Sequence, residues 1–406
     1  MATAAAEPQS GARRASTVVA LGVGQTLAWA SSYYLPAVLS KAMARDLGVS
    51  EADVFAALSL ALLVAALVGP SAGRAIDRLG GRPVLVLANL VFAAGLALLS
   101  AAQGWQGLLA GWIVIGLGMG TGLYEAAFAA LVRLHGFDAR GPITGVTLIA
   151  GFASTVGWPL SAWAGAAFGW RGACIGWAVV HLVVALPLNA SIPRAPSRRA
   201  RANGFAPDAS GDSRTIAAEV AHPRLVGIAL AYVFAVTWFI STAMAAHLPR
   251  LLVAGGASLG VAVALAALVG PAQVVARLLE FTLLRRFDPL FSARAAALAH
   301  PLGVLALIAG GAPWAAPFAI LHGIGNGILT IAKGTLPLRF FGPGGYGARQ
   351  GLLGVPSRIA QAAAPLAFGV CLDRFGVASL WLTAALSLSA AATLLALPRP
   401  PRPRNE

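Results

Sequence analysis

The chain has 406 residues, of which 58% are hydrophobic and 11% charged, and its net charge is +15. Soluble domains carry roughly a quarter charged residues, so this composition excludes an ordinary soluble enzyme, and its apolar content excludes a disordered chain. A strongly basic balance raises nucleic acid or a membrane surface as partner, and the positions of the charges decide between them.

A spanning helix needs about 20 mostly apolar residues. Residues 1–15 form a polar tail ending just past Arg13-Arg14, and the first apolar run follows at 16–40. That run exceeds the roughly 7–15 residues of a signal-peptide core and reads as an uncleaved first span. It carries Gln25, Trp29, Ser32, Tyr33 and Tyr34, side chains able to stack on or hydrogen-bond a small organic ligand. The second span is 53–73. The loop after it reads Gly73-Arg-Ala-Ile-Asp77-Arg78-Leu-Gly80-Gly-Arg82-Pro-Val-Leu85. Gly73 permits close helix approach, Asp77 can accept from arginine side chains, and Gly80 permits a tight turn. Further spans follow at 83–101, 107–131, 143–166 and 171–192. Within 107–131 lies Glu125 beside Tyr124, read as the one acid well inside a span. It is either a carboxyl that locks helix packing or a protonatable group facing a cavity.

Residues 193–222 are rich in Pro, Arg, Ser and Asp and read as a polar linker. Six more spans follow at 224–250, 259–281, 293–311, 315–337, 351–371 and 377–397, within a second helical half at 223–397, and the tail is 398–406. The expected fold is therefore all-α and integral to the membrane, with twelve transmembrane helices in two six-helix bundles, 16–192 and 223–397. The halves echo each other. Ala65-Ala-Leu-Val-Gly-Pro70 recurs at 266–271, and Gly145 with Pro159-Leu160 recurs as Gly351 with Pro365-Leu366. That pattern suits a duplicated unit and makes the bundles pseudo-symmetric, with a ligand bound between repeats near mid-membrane.

The charges separate by loop. With the N-terminus inside, only Lys41, Arg45, Arg171, Arg250 and Arg374 fall on the outer side. Arg277, Lys333 and Arg358 fall within apolar segments, and every other Lys and Arg lies on the inner side. The positive-inside rule then puts both termini and the linker in the cytoplasm. The basic balance serves the lipid bilayer, and no nucleic acid is expected.

Cations inside spans need a partner, a wet cavity or a task. Arginine suits a carboxylate because its planar fork grips both oxygens. The tenth span places His322, Asn326, Thr330 and Lys333 on one helical face, and Arg358 lies with Gln361 in the eleventh. Trp238, Ser241 and Thr242 on the seventh are weaker candidates. Cys174 and Cys371 read as small buried packing residues. The chain has no phosphate-binding loop, metal-ligand spacing or nucleophile elbow, so no metal, no cofactor and no enzymatic activity are expected.

The 73–85 loop resembles the G-x-x-x-D-R-x-G-x-R signature between helices 2 and 3 of the major facilitator superfamily. The resemblance implies that Gly73, Asp77, Arg78, Gly80 and Arg82 form a cytoplasmic latch that holds one conformation and releases in another. Gly169-Trp170-Arg171 resembles the short outer loop of that family. Gly151 through Pro159 resembles the fifth-helix motif of its antiporters, with Trp158 interrupting the Gly-Pro pair. The arginine usual in its fourth helix is replaced by Glu125. Helices 1, 4, 7 and 10 line the cavity in that family, which makes the tenth-span stripe a cavity candidate. Arg277 resembles the carboxylate-binding arginine of the monocarboxylate-transporter branch; in a competing register Arg277 and Glu280 match Arg74 and Asp77 as a second latch. The reading is a secondary transporter in a bacterial inner membrane. It moves a small organic anion such as a monocarboxylate, coupled to protons, as a monomer. Arg277, Arg358, Lys333, Asn326, His322 and Tyr34 are the substrate candidates and Glu125 the proton-coupling candidate. Proton-driven efflux of drugs or toxic compounds is the alternative.

Overall fold

The computed structural model describes residues 11–195, 220 and 222–400, which form helices and short turns with no strand. Most of the 1–15 tail, most of the 193–222 linker and the end of the 398–406 tail lie outside the described residues. Helix is the expected outcome for these apolar runs. Lipid offers no partner for backbone N–H and C=O groups, and a helix satisfies them within each segment.

Among the described residues, eight helical stretches are long and apolar enough to cross a membrane, and two of them contain more than one pass. Gly104–Ser191 turns back at the 3-10 segment Gly136–Ala139 and again at Gly169 (φ 70°, ψ 169°). A side chain is strained in the Gly169 conformation, so the chain reverses there by means of that glycine. Tyr346–Ala396 turns back at Gly376–Ser379, between Tyr346–Phe375 and Leu380–Ala396. With Gly11–Ser31 as the first pass, the helices make twelve passes, the number expected from the sequence.

The first, second and fourth passes differ from the expected boundaries in instructive ways. The first pass is two helices, Gly11–Ser31 and Pro36–Leu47. Pro36 has no N–H to continue the ladder and restarts the chain as the first residue of a new helix. The second pass runs Glu51–Leu79, past the charged residues that end its apolar run. It opens with a capping box, Asp53 N–H donating to Ser50 Oγ (3.1 Å) and Ser50 N–H to Asp53 Oδ2 (2.9 Å), and it stops at Gly80 (φ 87°). The fourth pass breaks at Leu123 into Gly104–Gly122 and Tyr124–His135.

The chain forms two compact units, one of residues 1–219 with 341–355, the other of 220–340 with 356–406. In each, large apolar side chains point outward, as Leu67 (79% exposed) does in the first and Leu366 (78%) in the second. Polar residues such as Gln25, Asn89, His181, His300 and Thr383 are buried. That inverted arrangement suits lipid as the surrounding solvent. Cys174 is buried as expected, whereas Cys371 is only partly covered.

In the first unit, three passes are tied at the end that carries the Gly169 turn. Asp46 pairs with Arg171 and accepts from Trp170 Nε1 (3.0 Å), and Arg171 donates to the Ala102 carbonyl (2.8 Å). In the second unit, Arg250 pairs with Asp373, Arg339 pairs with Asp288 at 3.1 Å, and Arg294 donates to the carbonyls of Leu394, Leu395 and Leu397.

Candidate functional site

Within the first unit, Gly69, Gly73 and Asp77 recur every fourth residue on one helix face, and Gly347 and Gly351 do so on the segment facing them. The backbones cross so closely that a Cβ on Gly73 would overlap Gly347, and one on Gly351 would overlap Gly69. Small residues at this spacing are what let helices approach in lipid. The crossing carries Asp77 to the first turn of Tyr346–Phe375, where it accepts from Gly347 N–H (2.9 Å) and Ala348 N–H (2.8 Å). Those N–H groups have no partner inside their own helix, and a carboxylate there also meets the positive end of the helix dipole. The donors to Asp77 are thus backbone amides rather than the arginine side chains expected, with Arg133 and Arg349 supplying nearby positive charge. Gly80 makes the turn out of the helix, Arg82 is partly covered and Arg78 is exposed.

The same unit gathers aromatic rings from three passes. Trp29 meets Tyr33 (5.5 Å between centroids), Tyr34 (6.4 Å) and Tyr124 (5.2 Å), and Tyr34 meets Trp158 edge-on at 5.9 Å. Trp158, read from sequence only as an interruption of a motif, is 46% exposed. Gln25 Nε2 donates to the Gly122 carbonyl (2.6 Å) and thereby holds the end of the helix that stops before Leu123. That break puts the partly buried Glu125 in the first turn of Tyr124–His135, at the positive end of its dipole. A Cβ on Gly354 would sit 3.4 Å from Glu125 Cγ.

The remaining candidates lie in the second unit. Lys333 is 2% exposed, with Nζ 4.8 Å from the Trp238 ring centroid, a contact worth about 0.5–2 kcal/mol. Arg358 is 4% exposed and donates to Gln361 Oε1 at 3.1 Å. Its helix begins at Tyr346 rather than Gly351, so Arg358 lies about 18 Å along the axis from the start of the helix. Arg277 (4% exposed) donates to Gln273 Oε1 at 3.2 Å, and Glu280, one helical turn on, is 3% exposed. Glu280, named from the sequence as half of a second latch, is thus a further buried acid, near the end of its helix.

His322 and Asn326 come together as lining of one small cavity, while Thr330 turns its hydroxyl back onto the Asn326 carbonyl (2.8 Å). The structure adds a residue that sequence reading passed over. His300 Nδ1 is 3.1 Å from His322 Nδ1, and its Nε2 is 3.0 Å from Thr383 Oγ1. In the first unit, His181 is likewise buried between Asn89 and Ser31.

Comparison with known proteins completes the picture. A family profile described as Major Facilitator Superfamily matches residues 21–332. A search of curated protein sequences finds no match. Among solved structures, the chain is similar to the human organic anion transporter MFSD10 (TETRAN), with TM-score 0.72 and 19% identity over 95% of this chain and 100% of that one. It is similar to the proton:xylose symporter XylE bound to 6-bromo-6-deoxy-D-glucose, with TM-score 0.74 and 13% identity over 95% of each chain. It is also similar to the transporter FucP in the outward conformation, with TM-score 0.71 and 14% identity over 93% and 97% of the two chains. Such identities speak for the fold alone, but the profile spans most of the chain. The chain belongs to the major facilitator superfamily and is a multi-pass membrane transporter, not an enzyme.

Proposed function

We propose that this transporter moves a small organic anion, of the monocarboxylate class, by alternating access coupled to protons. The observation that carries the reading is the burial of Lys333 and Arg358 inside spans of the second unit, at 2% and 4% exposure. A cation held in a span costs several kcal/mol, and an anion that arrives and leaves is an occupant that offsets this cost on each cycle. Arg358 offers a planar fork for a carboxylate, and Lys333 a point charge. The organic anion transporter among the similar structures is in keeping with this substrate class, and the proton:xylose symporter with proton coupling.

In this reading the six-helix bundles are 16–192 and 223–397, joined by 193–222, and the chain works as a monomer in a bacterial inner membrane with both termini cytoplasmic. Asp77 with Gly73, Arg78, Gly80 and Arg82 is the cytoplasmic latch, and Glu125 is a proton carrier. His322 and Asn326 bind substrate beside the cations, Tyr34 stacks on its apolar body, and Arg277 with Glu280 serves as the second latch rather than as a substrate group. A second reading, proton-driven efflux of drugs or toxic compounds, is favoured by the ring cluster around Tyr34 and Trp158, which suits flat apolar molecules.

Uptake of a labelled monocarboxylate panel into proteoliposomes, with and without an imposed pH gradient, tests the first reading. Gradient-stimulated uptake of one acid, lost in Arg358→Gln, is expected. Absence of gradient-dependent flux for every acid, together with drug resistance of overexpressing cells, would replace it with the second.

A further inference from the structure

In the second unit, His300 and His322 sit in a chain of hydrogen bonds whose direction can be worked out. Thr383 Oγ1 lies 2.9 Å from the Leu380 carbonyl, and with its hydrogen placed there its oxygen is the acceptor toward His300. His300 Nε2 therefore carries the hydrogen, and in the neutral ring its Nδ1 is a lone pair. His322 Nδ1, 3.1 Å away, must then carry a hydrogen and donate it. One nitrogen is left over: in neutral His322, Nε2 is a bare lone pair, a base.

Both rings line a cavity of about 20 Å³, the room of about one water molecule. Its polar wall is one-sided. Thr237 and Ser387 also line it, but their hydroxyl hydrogens are spent on the carbonyls of Val233 (2.8 Å) and Ala297 (2.9 Å). Hydroxyls so engaged have only lone pairs left to offer, whereas the Asn326 amide has hydrogens to give. A wall of acceptors selects a guest rich in donors.

We infer that this cavity is a proton-binding site that takes one proton, as a protonated water or on His322 Nε2. The pair holds one and not two because a second charge would face the first across 3.1 Å in a nearly dry environment.

His300 and His322 are the titratable lining groups. Other charged groups on the packed helices are engaged elsewhere. On Pro223–Ala254, Tyr232 meets Ser389, His247 meets the Pro365 carbonyl and Arg250 pairs with Asp373, with Arg224 exposed in the first turn. On Pro289–Gly310, Arg294 is spent on carbonyls at the end of Leu380–Ala396, which itself carries no charge. On Ala315–Phe341, Lys333 lies over Trp238 and Arg339 pairs with Asp288. On Val269–Thr282, packed against that helix at Gly323 and Gly327, Arg277 donates to Gln273 and Glu280 is buried one turn on. For its use in transport the site rests on the proton-coupled reading above, and it assigns to that coupling a base besides Glu125.

The test reads the site without any substrate. Full-length protein carrying 15N-labelled histidine is reconstituted in lipid and followed by NMR from about pH 8 to about pH 4. The assignments use His322→Asn, whose amide nitrogen takes the place of Nδ1 and preserves the bond to His300 while removing the Nε2 base. The expected result is His322 as the Nδ1–H tautomer, His300 as the Nε2–H tautomer, and one proton taken up by the pair. That proton is lost in His322→Asn, with its melting temperature unchanged. His322 found as the Nε2–H tautomer, whichever nitrogen of His300 carries the hydrogen, no uptake over the range, or uptake of two protons would overturn the inference. Gradient-driven flux that survives His322→Asn would leave the coupled reading standing and remove this site from it. Flux blind to the gradient with the NMR signature intact would do the reverse.

Discussion

Each unit buries a histidine between its helices, and the two are finished differently. In the first, His181 meets Asn89 Oδ1 at 2.9 Å and Ser31 Oγ at 2.8 Å, and its ring stacks on Phe92 at 4.9 Å. Asn89 Nδ2 donates to the Leu85 carbonyl (2.8 Å), which leaves its oxygen to accept from His181. Ser31 Oγ also lies 2.8 Å from the Leu27 carbonyl, so its one hydrogen is shared between that carbonyl and His181 Nε2, and the ring acts as a clasp between passes. In the second, the chain from Leu380 through Thr383 and His300 ends on a His322 nitrogen beside a cavity. Asp77 in the first unit is closed in the same way as His181, with one backbone amide on each carboxylate oxygen. The same residue types hold structure where every polar end is closed, and become available for exchange where one end is open.

Closed contacts give the largest losses when broken. His181→Ala leaves Asn89 and Ser31 buried without the ring between them, and the expected cost is about 2–4 kcal/mol. The check is thermal unfolding in detergent, where this variant is expected to melt well below the parent. An unchanged melt would break the contrast. Asp77→Asn retains one acceptor oxygen and turns an NH₂ group toward a backbone N–H. The expected loss is about 1.5–3 kcal/mol of latch stability, read as a change of roughly tenfold or more in initial flux while the protein still folds. Gly73→Val reaches the same end by a different route, because its side chain collides with the Gly347 backbone.

Substitutions at the proposed substrate contacts are expected to affect function with little effect on stability. Arg358→Gln keeps a hydrogen-bonding amide and removes the charge, so KM for the anion rises about tenfold, as for loss of one charge-assisted bond, with a small change in melting temperature. The smallest effect belongs to Trp158→Ala. It removes an edge-on contact worth about 0.5–1.5 kcal/mol, and a modest rise in KM for aromatic acids, against none for small aliphatic ones, would assign the ring cluster to the substrate body.

The fold was legible because lipid makes hydrophobic length the dominant signal. Twelve apolar runs became twelve passes; the boundaries differ where that signal ends before the helix does, as at Arg74–Leu79, or where a helix breaks inside a run, as before Pro36 and at Leu123. The Asp77 loop was legible as a local pattern, but its donors were not, since Gly347 and Ala348 lie far along the chain and bind through backbone that no side-chain pattern records. His322 drew attention through its spacing with Asn326 and Lys333. His300 did not, because a partner on another helix leaves no periodicity in its own. Glu280 was named from its match to Asp77, but its burial was not legible: it closes an apolar run, where a charge normally marks the water.

The union of anion and proton is measured most directly with a pH-sensitive dye sealed inside proteoliposomes. A monocarboxylate is added with no gradient imposed, against protein-free vesicles and Arg358→Gln as controls. If the two move together, the interior acidifies as the labelled acid enters, at a rate set by the protein and lost in the variant. Label entering at the protein's rate while the interior pH stays flat would contradict it.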